Sequence, residues 1–388
     1  MPPIQLNRRR FLGCSAAAGW AITQTRGAEG EEIVDPRPLR IGVIGLGNRG
    51  TTLLRAALAD PTIEIAALAD PEPKHLARAG GIVEKARGRR PDGFDSSLRL
   101  LERDDLAAVI VALPCDLHAR VYQQSLEAGK HLYAEKPLGL DPAECDRLIV
   151  EAGRRPDQVV HVGFQRRSNP RYREAIAAIH RGELGPLLSG TAAWVSSNGP
   201  IRGHDGWLSR RERSGDWMVE QAVHVWDVFH WIARGVPVEA YASGRRDVFR
   251  ESDPDRDVTD DYQVQLRWAD GFSASFAQSW AAPADDAFTG VSLRVTGREA
   301  GLDFATGSLT PRDRKRPRQS FHPAIAADTD AALGAFLEAA RRPRSDRPDP
   351  PVSLQAARDA TITGLMVRLA VDEARVARRD EVDPRPVA

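Results

Sequence analysis

Lysine is scarce in this chain. Only five occur in 388 residues, Lys74, Lys85, Lys130, Lys136 and Lys315, and arginine carries the remaining positive charge. A lysine inside a structured motif is therefore harder to ascribe to chance. Net charge is also missing, because 54 basic and 54 acidic residues cancel. No global field favours nucleic acid or an anionic membrane, and the basic run 312–318 reads as solvated loop. Cysteine is limited to Cys14, Cys115 and Cys145. Three cannot make a disulfide framework, and the last two read as free and mostly buried. No apolar run reaches the ~20 residues that span a bilayer. What is present, 42% hydrophobic and 28% charged residues, suits a globular protein with a sizeable core, and the length suggests two domains.

Residues 1–30 read as an address rather than as fold. Arg8-Arg9-Arg10-Phe11-Leu12 fits a twin-arginine leader, followed by a mild apolar stretch to Ile22 and a polar segment. Such a leader is read by a receptor and predicts an exported, periplasmic or extracytoplasmic protein. The competing reading is a basic N-terminal tail with no such role.

Beyond the leader, short β-branched runs alternate with helical spacing. Leu39 to Leu46, Ile63 to Ala69, Leu106 to Leu113 and His131 to Ala134 read as buried parallel strands, with helices over Thr51 to Ala59 and Leu117 to Ala128. Asp141-Pro142 supplies an N-cap and first-turn proline for a helix to about Ala152. This predicts an α/β Rossmann domain over residues 38–155. From residue 156 the rhythm changes to strands at Val159 to Val162, Leu187 to Val195, Val238 to Gly244, Asp261 to Trp268, Phe272 to Trp280 and Val291 to Thr296. Asp270-Gly271 is a hairpin signal between two of them. An α+β domain with a largely antiparallel open sheet is expected over 156–320, and helices over 325–380 should pack back on the body.

Three motifs carry chemistry. Gly45-Leu46-Gly47-Asn48-Arg49-Gly50 is a G-x-G-x-x-G turn between a strand and a helix. Its glycines permit a tight turn, close approach to a pyrophosphate, and helix–strand packing. Asp70, twenty residues on at the end of the second strand, suits the ribose hydroxyls and repels a 2′-phosphate, so NAD is expected rather than NADP. Next, Glu135-Lys136-Pro137 follows a strand end, where an ammonium would face the reacting carbon. Third, a single helix is expected from Met218 to Ala233, with Glu220, His224 and Asp227 on one face. There a carboxylate one turn from an imidazole can fix its tautomer. The same face reads alternatively as a metal site or as a satisfied structural cluster.

Taken together, these residues resemble the Gfo/Idh/MocA oxidoreductases, the family of glucose–fructose oxidoreductase and inositol dehydrogenase. The resemblance covers nearly the whole chain after the leader. It also rests on Leu113-Pro114 with His118 and on Gly163-Phe164-Gln165-Arg166-Arg167. It implies Lys136, His224 and Glu220 as the catalytic set. The implied cofactor set is Gly45 to Gly50 (with Leu46, Asn48 and Arg49), Asp70, Leu113, Pro114, His118, Glu135, Lys136 and Gln165. Arg166, Trp207 and Asp227 are candidate substrate residues, and no metal is expected. The chain departs from the family's Asp-x-Gly-x-His pattern, with Glu220 in place of aspartate and Ala222 in place of glycine. The activity implied is hydride transfer at a secondary hydroxyl of a sugar, cyclitol or glycoside by tightly held NAD. Redox-neutral cleavage or epimerisation, and a non-catalytic dinucleotide-binding protein, are the alternatives. A homo-oligomer is expected, with no nucleic-acid partner.

Overall fold

In the computed structural model, residues 37–321 and 328–385 are described. The leader and Cys14 lie outside them. The first domain runs β1 (Leu39–Ile44), α1 (Asn48–Leu58), β2 (Ile63–Ala69), α2 (Pro73–Arg87), β3 (Asp92–Phe94), α3 (Ser97–Leu101), β4 (Ala108–Val111), α4 (His118–Glu127), β5 (His131–Ala134), α5 (Pro142–Gly153) and β6 (Val160–Val162). Its six strands are parallel in the order β3-β2-β1-β4-β5-β6. The chain reverses direction across the sheet between β1 and β4. In such a sheet, ligands bind beyond the carboxyl ends of the strands at that switch point.

All four residues of β4 are buried, as are the last four of β1, the burial expected of a sheet covered on both faces. Asp141 caps α5 as its spacing predicts, accepting from the Glu144 amide at 2.8 Å with Pro142 in the first turn. The elements α2, β3 and α3 have little apolar periodicity and are not among the expected ones.

The second domain runs α6 (Pro170–His180), β7 (Leu187–Val195), α7 (Arg211–Ser214), α8 (Trp217–Glu220), α9 (Val223–Ala233), β8 (Glu239–Arg245), β9 (Asp261–Arg267), β10 (Ser273–Ser279), β11 (Gly290–Gly297), β12 (Ala300–Asp303), β13 (Ser308–Pro311) and β14 (Gln319–Ser320). After it come α10 (Asp328–Arg341), α11 (Leu354–Glu373), β15 (Ala377–Arg378) and α12 (Arg379–Val382). The sheet order is β14-β13-β12-β11-β7-β10-β9-β8-β15. Every pairing is antiparallel except β7 with β10. The sheet is therefore mixed, and largely antiparallel. The Asp270-Gly271 hairpin forms, with Gly271 at a φ of +91° and the Asp270 carboxylate accepting from the Phe272 amide at 3.0 Å.

Helix α9 is buried nearly all round, which places it in the core rather than on a surface. One face of the sheet packs on it through Ala192, Ala274, Phe276, Val264 and Leu293. The opposite face exposes Thr191, Gln263, Gln265, Arg267 and Arg294. Helix α10 returns to the first domain and puts Leu333, Phe336 and Leu337 into its core. Helix α11 passes so close to α8 that a Cβ at Gly364 would lie 2.4 Å from the Met218 carbonyl oxygen. That close approach fixes the end of α8, and with it Glu220.

The expected single helix from Met218 to Ala233 does not form. It is two helices broken at Gln221-Ala222, α8 and α9. Glu220 ends the first and His224 is the second residue of the next, so the unbroken helical spacing that put Glu220, His224 and Asp227 on one face does not hold across the break.

Candidate active site

The glycine turn divides its labour among three positions. Gly45 has a φ of +85°, and a Cβ there would sit 2.1 Å from the Ala112 carbonyl oxygen. A Cβ at Gly50 would come within 1.8 Å of the Gly45 carbonyl oxygen. These two glycines are demanded by the protein's own packing. Gly47 has nothing within 4 Å of a Cβ position, so its open side is available to a ligand. Helix α1 begins at the next residue with no side-chain cap and no acid in its first turn. Its free amides and positive dipole end fit a pyrophosphate.

Around this turn, several side chains expected to touch the cofactor also hold the protein. Asp70 stands at the end of β2, but its carboxylate is buried and turned inward. Oδ2 accepts from the Leu46 amide at 2.7 Å, and Oδ1 from the Glu72 amide at 2.9 Å, with His75 Nδ1 at 3.2 Å. Arg49 does not turn to the pyrophosphate. Its Nε donates to Glu135 Oε1 at 2.6 Å and its Nη1 to Thr329 Oγ1 at 2.9 Å, tying the turn to the end of β5 and to α10. His118 is 1% exposed and its ring lies between the Pro137 and Leu113 carbonyl oxygens, at 2.8 and 2.9 Å. It clamps the loop after β5 to the loop after β4 rather than facing the crevice. Burial lowers its pKa, while the two carbonyl contacts work the other way.

Lys136 leaves β5 one residue beyond Glu135 and crosses to the second domain. Its Nζ donates to the Glu220 carbonyl at 2.5 Å and to Glu220 Oε1 at 2.7 Å. The Glu220 carboxylate is thus the partner of Lys136, and it makes no hydrogen bond to His224 among the described residues. A glutamate reaches the ammonium from the last turn of α8, which explains how the chain accommodates the longer side chain. Burial works against the charge on Lys136, but Glu220, Cys115 and Glu135 outweigh it and hold its pKa above the ordinary value. His224 goes the other way. Burial, then the positive charges of Lys136, Arg166 and Arg49, push its pKa well below 6.5. Their surroundings thus favour an ammonium at Lys136 and a neutral imidazole at His224, a proton donor and a proton acceptor set apart by environment.

Aromatic rings wall the imidazole. Phe164 meets His224 edge-on at 5.7 Å between centroids, and Trp194 lies 6.4 Å away. The Arg166 guanidinium sits 5.4 Å from the centre of the Trp194 ring and 5.9 Å from that of Tyr172. Gln165 stands beside it with a buried Oε1 that lacks a partner. Gln221, in the helix break, accepts from Gln278 Nε2 at 2.6 Å. Trp194 and Gln278 gave no sequence signal, because a strand residue facing a cleft and one facing the core share the same period.

The two other candidate substrate residues stand on different elements. Asp227 is 1% exposed and spent on Arg167, whose Nη2 donates to Oδ1 at 2.8 Å and whose Nε donates at 3.0 Å. It fastens the Gly163–Arg167 segment to α9. Trp207 lies on the segment following β7, in a short 3₁₀ turn over His204–Ser209. That turn meets the loop after β2 through His204, whose Nε2 lies 3.5 Å from Glu72 Oε1. With Glu220 and Asp227 each bound to a cation on a different element, the three groups of the expected helix face do not converge on a metal position. Among the described residues, no helix is long and apolar enough to cross a membrane.

The strand order, the bare glycine turn and the polarised Lys136–His224 pair define a dinucleotide-dependent oxidoreductase. The chain belongs to the GFO/IDH/MocA family. Residues 39–164 match the family's oxidoreductase model with an NAD-binding Rossmann fold, and residues 172–303 match its C-terminal domain. Its cofactor is NAD. A dTDP-3,4-didehydro-2,6-dideoxy-alpha-D-glucose 3-reductase of Actinomadura kijaniata is 33% identical over 166 residues, 42% of this chain and 48% of that protein. A glycosyl hydrolase family 109 protein of Shewanella sp. (strain W3-18-1) is 28% identical over 216 residues, 49% of this chain and 46% of the relative. The chain thus spans about half the length of the curated relatives it matches. Among solved structures, the aldose-aldose oxidoreductase of Caulobacter crescentus complexed with glycerol superimposes with a TM-score of 0.72 at 21% identity, covering 88% of this chain and 100% of that one. The scyllo-inositol dehydrogenase of Lactobacillus casei with bound NAD(H) and scyllo-inositol gives 0.70 at 18% identity, covering 88% and 99%. At these identities the likeness is one of fold.

Proposed function

We propose that the protein transfers a hydride between bound NAD and the carbon of a secondary hydroxyl on a sugar, cyclitol or glycoside. The observation that carries this reading is that Lys136, just beyond β5, crosses to the second domain and is held by Glu220 Oε1 at 2.7 Å, with His224 walled by Phe164 and Trp194 at the start of the next helix. The nicotinamide supplies the hydride acceptor and donor. The neutral His224 imidazole takes the hydroxyl proton, and the Lys136 ammonium stabilises the developing alkoxide. Glu220 holds that ammonium in place, Arg166 and Gln221 orient the polyol, and Phe164 and Trp194 keep water from the reacting carbon. Asp70 acts on NAD through the turn it props, and the buried Gln165 amide oxygen is placed to accept from the cofactor once it is bound.

Export by the twin-arginine route belongs to this reading. Folded export suits a protein that takes its cofactor in the cytoplasm, and beyond it little free NAD is expected for exchange. NAD is then held through the cycle and regenerated in place by a second substrate. A redox-neutral cycle, in which the same sugar takes the hydride back after elimination or epimerisation, is supported by the glycosyl hydrolase family 109 relatives. The uncovered sheet face, with Thr191, Gln265 and Arg294 outward, suits pairing with a second copy of the chain.

The test is to purify the mature protein, dialyse it extensively and identify retained nucleotide by mass. Turnover is then assayed on paired aldoses, cyclitols and aryl glycosides without added NAD. Retained NAD with turnover supports the closed cycle. An empty protein that turns over only with stoichiometric soluble NAD refutes it and leaves the hydride-transfer reading standing.

A further inference from the structure

Between β7 and α8 the chain makes an excursion that the chemistry at Lys136 does not use. At its tip, Gly203, Asp205 and Gly206 all have positive φ, at 69°, 53° and 72°, and these bring His204 outward. His204 Nε2 lies 3.5 Å from Glu72 Oε1, and its ring meets His75 edge-on at 5.3 Å between centroids. Both partners follow β2. Nine residues along, Arg213 Nε lies 3.4 Å from Asp116 Oδ2 in the loop after β4, and its Nη1 donates to Asp205 Oδ2 at 2.9 Å. In the sheet, β2 and β4 are the two neighbours of β1. A segment fastened beyond the ends of both therefore bridges the end of β1, where the glycine turn receives the pyrophosphate.

The two ends of this excursion are held very differently. Its return limb is built in. Ser209 is 1% exposed and donates to Asp253 Oδ2 at 2.7 Å, and Asp257 accepts from the Arg211 amide at 2.7 Å. Among the described residues the tip meets the first domain through His204 at 50% and Glu72 at 37% exposure, with His75, at 13%, behind them. A firmly rooted limb with a weakly fastened tip has the anatomy of a strap.

We propose that residues 203–214 form a strap across the adenosine and pyrophosphate part of the NAD crevice. His204 against Glu72 and His75 fastens its tip to the first domain, Arg213 on the rooted limb holds the tip through Asp205, and NAD enters and leaves only when the tip lifts. This deepens the retained-cofactor part of the function proposed above and rests on it.

A gate has a kinetic signature that loss of an ordinary binding contact lacks. Opening it speeds capture and release together and changes their ratio less. The protein is loaded with NADH and diluted into excess ADP-ribose, and release is followed by nicotinamide fluorescence. Capture is measured by stopped-flow mixing with NADH. His204→Ala and Arg213→Ala are each expected to speed both rates by up to about fivefold, and the pair by about tenfold or more, the scale of exposed ionic contacts. In the unaltered protein, raising salt from about 0.05 to about 0.5 M is expected to speed both rates, since screening weakens exposed charge pairs. This arm holds even if the double variant folds poorly. Capture and release both within twofold of the unaltered rates, in the double variant and at high salt, overturn the strap. Sub-second release from the unaltered protein that becomes faster still in the variants keeps the strap and overturns the retained cofactor.

Discussion

The two halves of the molecule meet the crevice with different parts of the polypeptide. The first domain turns its backbone to the cofactor. Its polar side chains near the glycine turn, Asp70, Arg49, Glu135 and His118, are occupied in holding loops to one another. The second domain contributes Glu220 and His224, the side chains given proton work in the proposed mechanism, and burial and neighbouring charge move Lys136 and His224 in opposite pKa directions. On that proposal, cofactor binding is a property of main-chain geometry, and proton handling a property of the interface between domains. Substitutions should therefore divide by domain, affecting either folding and nucleotide affinity or turnover.

The largest contrast is expected from the proton pair. Lys136→Ala and His224→Ala should each lower turnover by about two to four orders of magnitude with NAD affinity much less changed. Steady-state kinetics beside NAD titration measure both, and near-normal turnover in His224→Ala would break the division. Next comes the ion pair that looks catalytic by sequence. Asp227→Ala leaves the Arg167 guanidinium buried without its carboxylate, at a cost of about 3–5 kcal/mol. Denaturant unfolding should register that loss in the protein with and without NAD, and unchanged stability with lost turnover would return Asp227 to the substrate site.

Smaller effects sharpen the first half of the comparison. Gly47→Ala places its methyl in open space and should leave the melting temperature within a few degrees while weakening NAD binding. Gly50→Ala, against the Gly45 carbonyl, should lower the melting temperature itself. Equal behaviour of the two variants in calorimetry and NAD titration would mean that the turn does not divide its labour.

The smallest effect is in pH. The folded-state pKa of His224 is depressed below its unfolded value of about 6.5. The unfolded chain therefore binds a proton before the native state does, and stability falls as pH drops below about 6.5. The neutral base persists over the same range, so kcat/KM for alcohol oxidation should stay flat from pH 8 to below 6.5. A His224→Gln variant should lose that part of the acid destabilisation. An activity profile falling through pH 6.5 to 7 would show an imidazole with an ordinary pKa.

By itself the sequence determined the features written in local order. The strand before the turn, the three glycines, Asp70 at the end of β2 and Lys136 at the end of β5 are all set within a few residues of chain. Their steric and periodic demands are local, and they stand where expected. The partners of those residues were decided only in the tertiary structure. Lys136 and Glu220 are 84 residues apart, and Arg49 and Glu135 are 86 apart. Helical spacing put Glu220, His224 and Asp227 on one face, but the break at Gln221-Ala222 and the close passage of α11 sent Glu220 to a lysine. Asp227 went to Arg167 for the same kind of reason. A buried charge must find an opposite charge wherever packing brings one, and sequence spacing does not carry that position. The strap is the same case, since His204 and Glu72 acquire meaning only because the order of strands puts β2 and β4 on either side of β1.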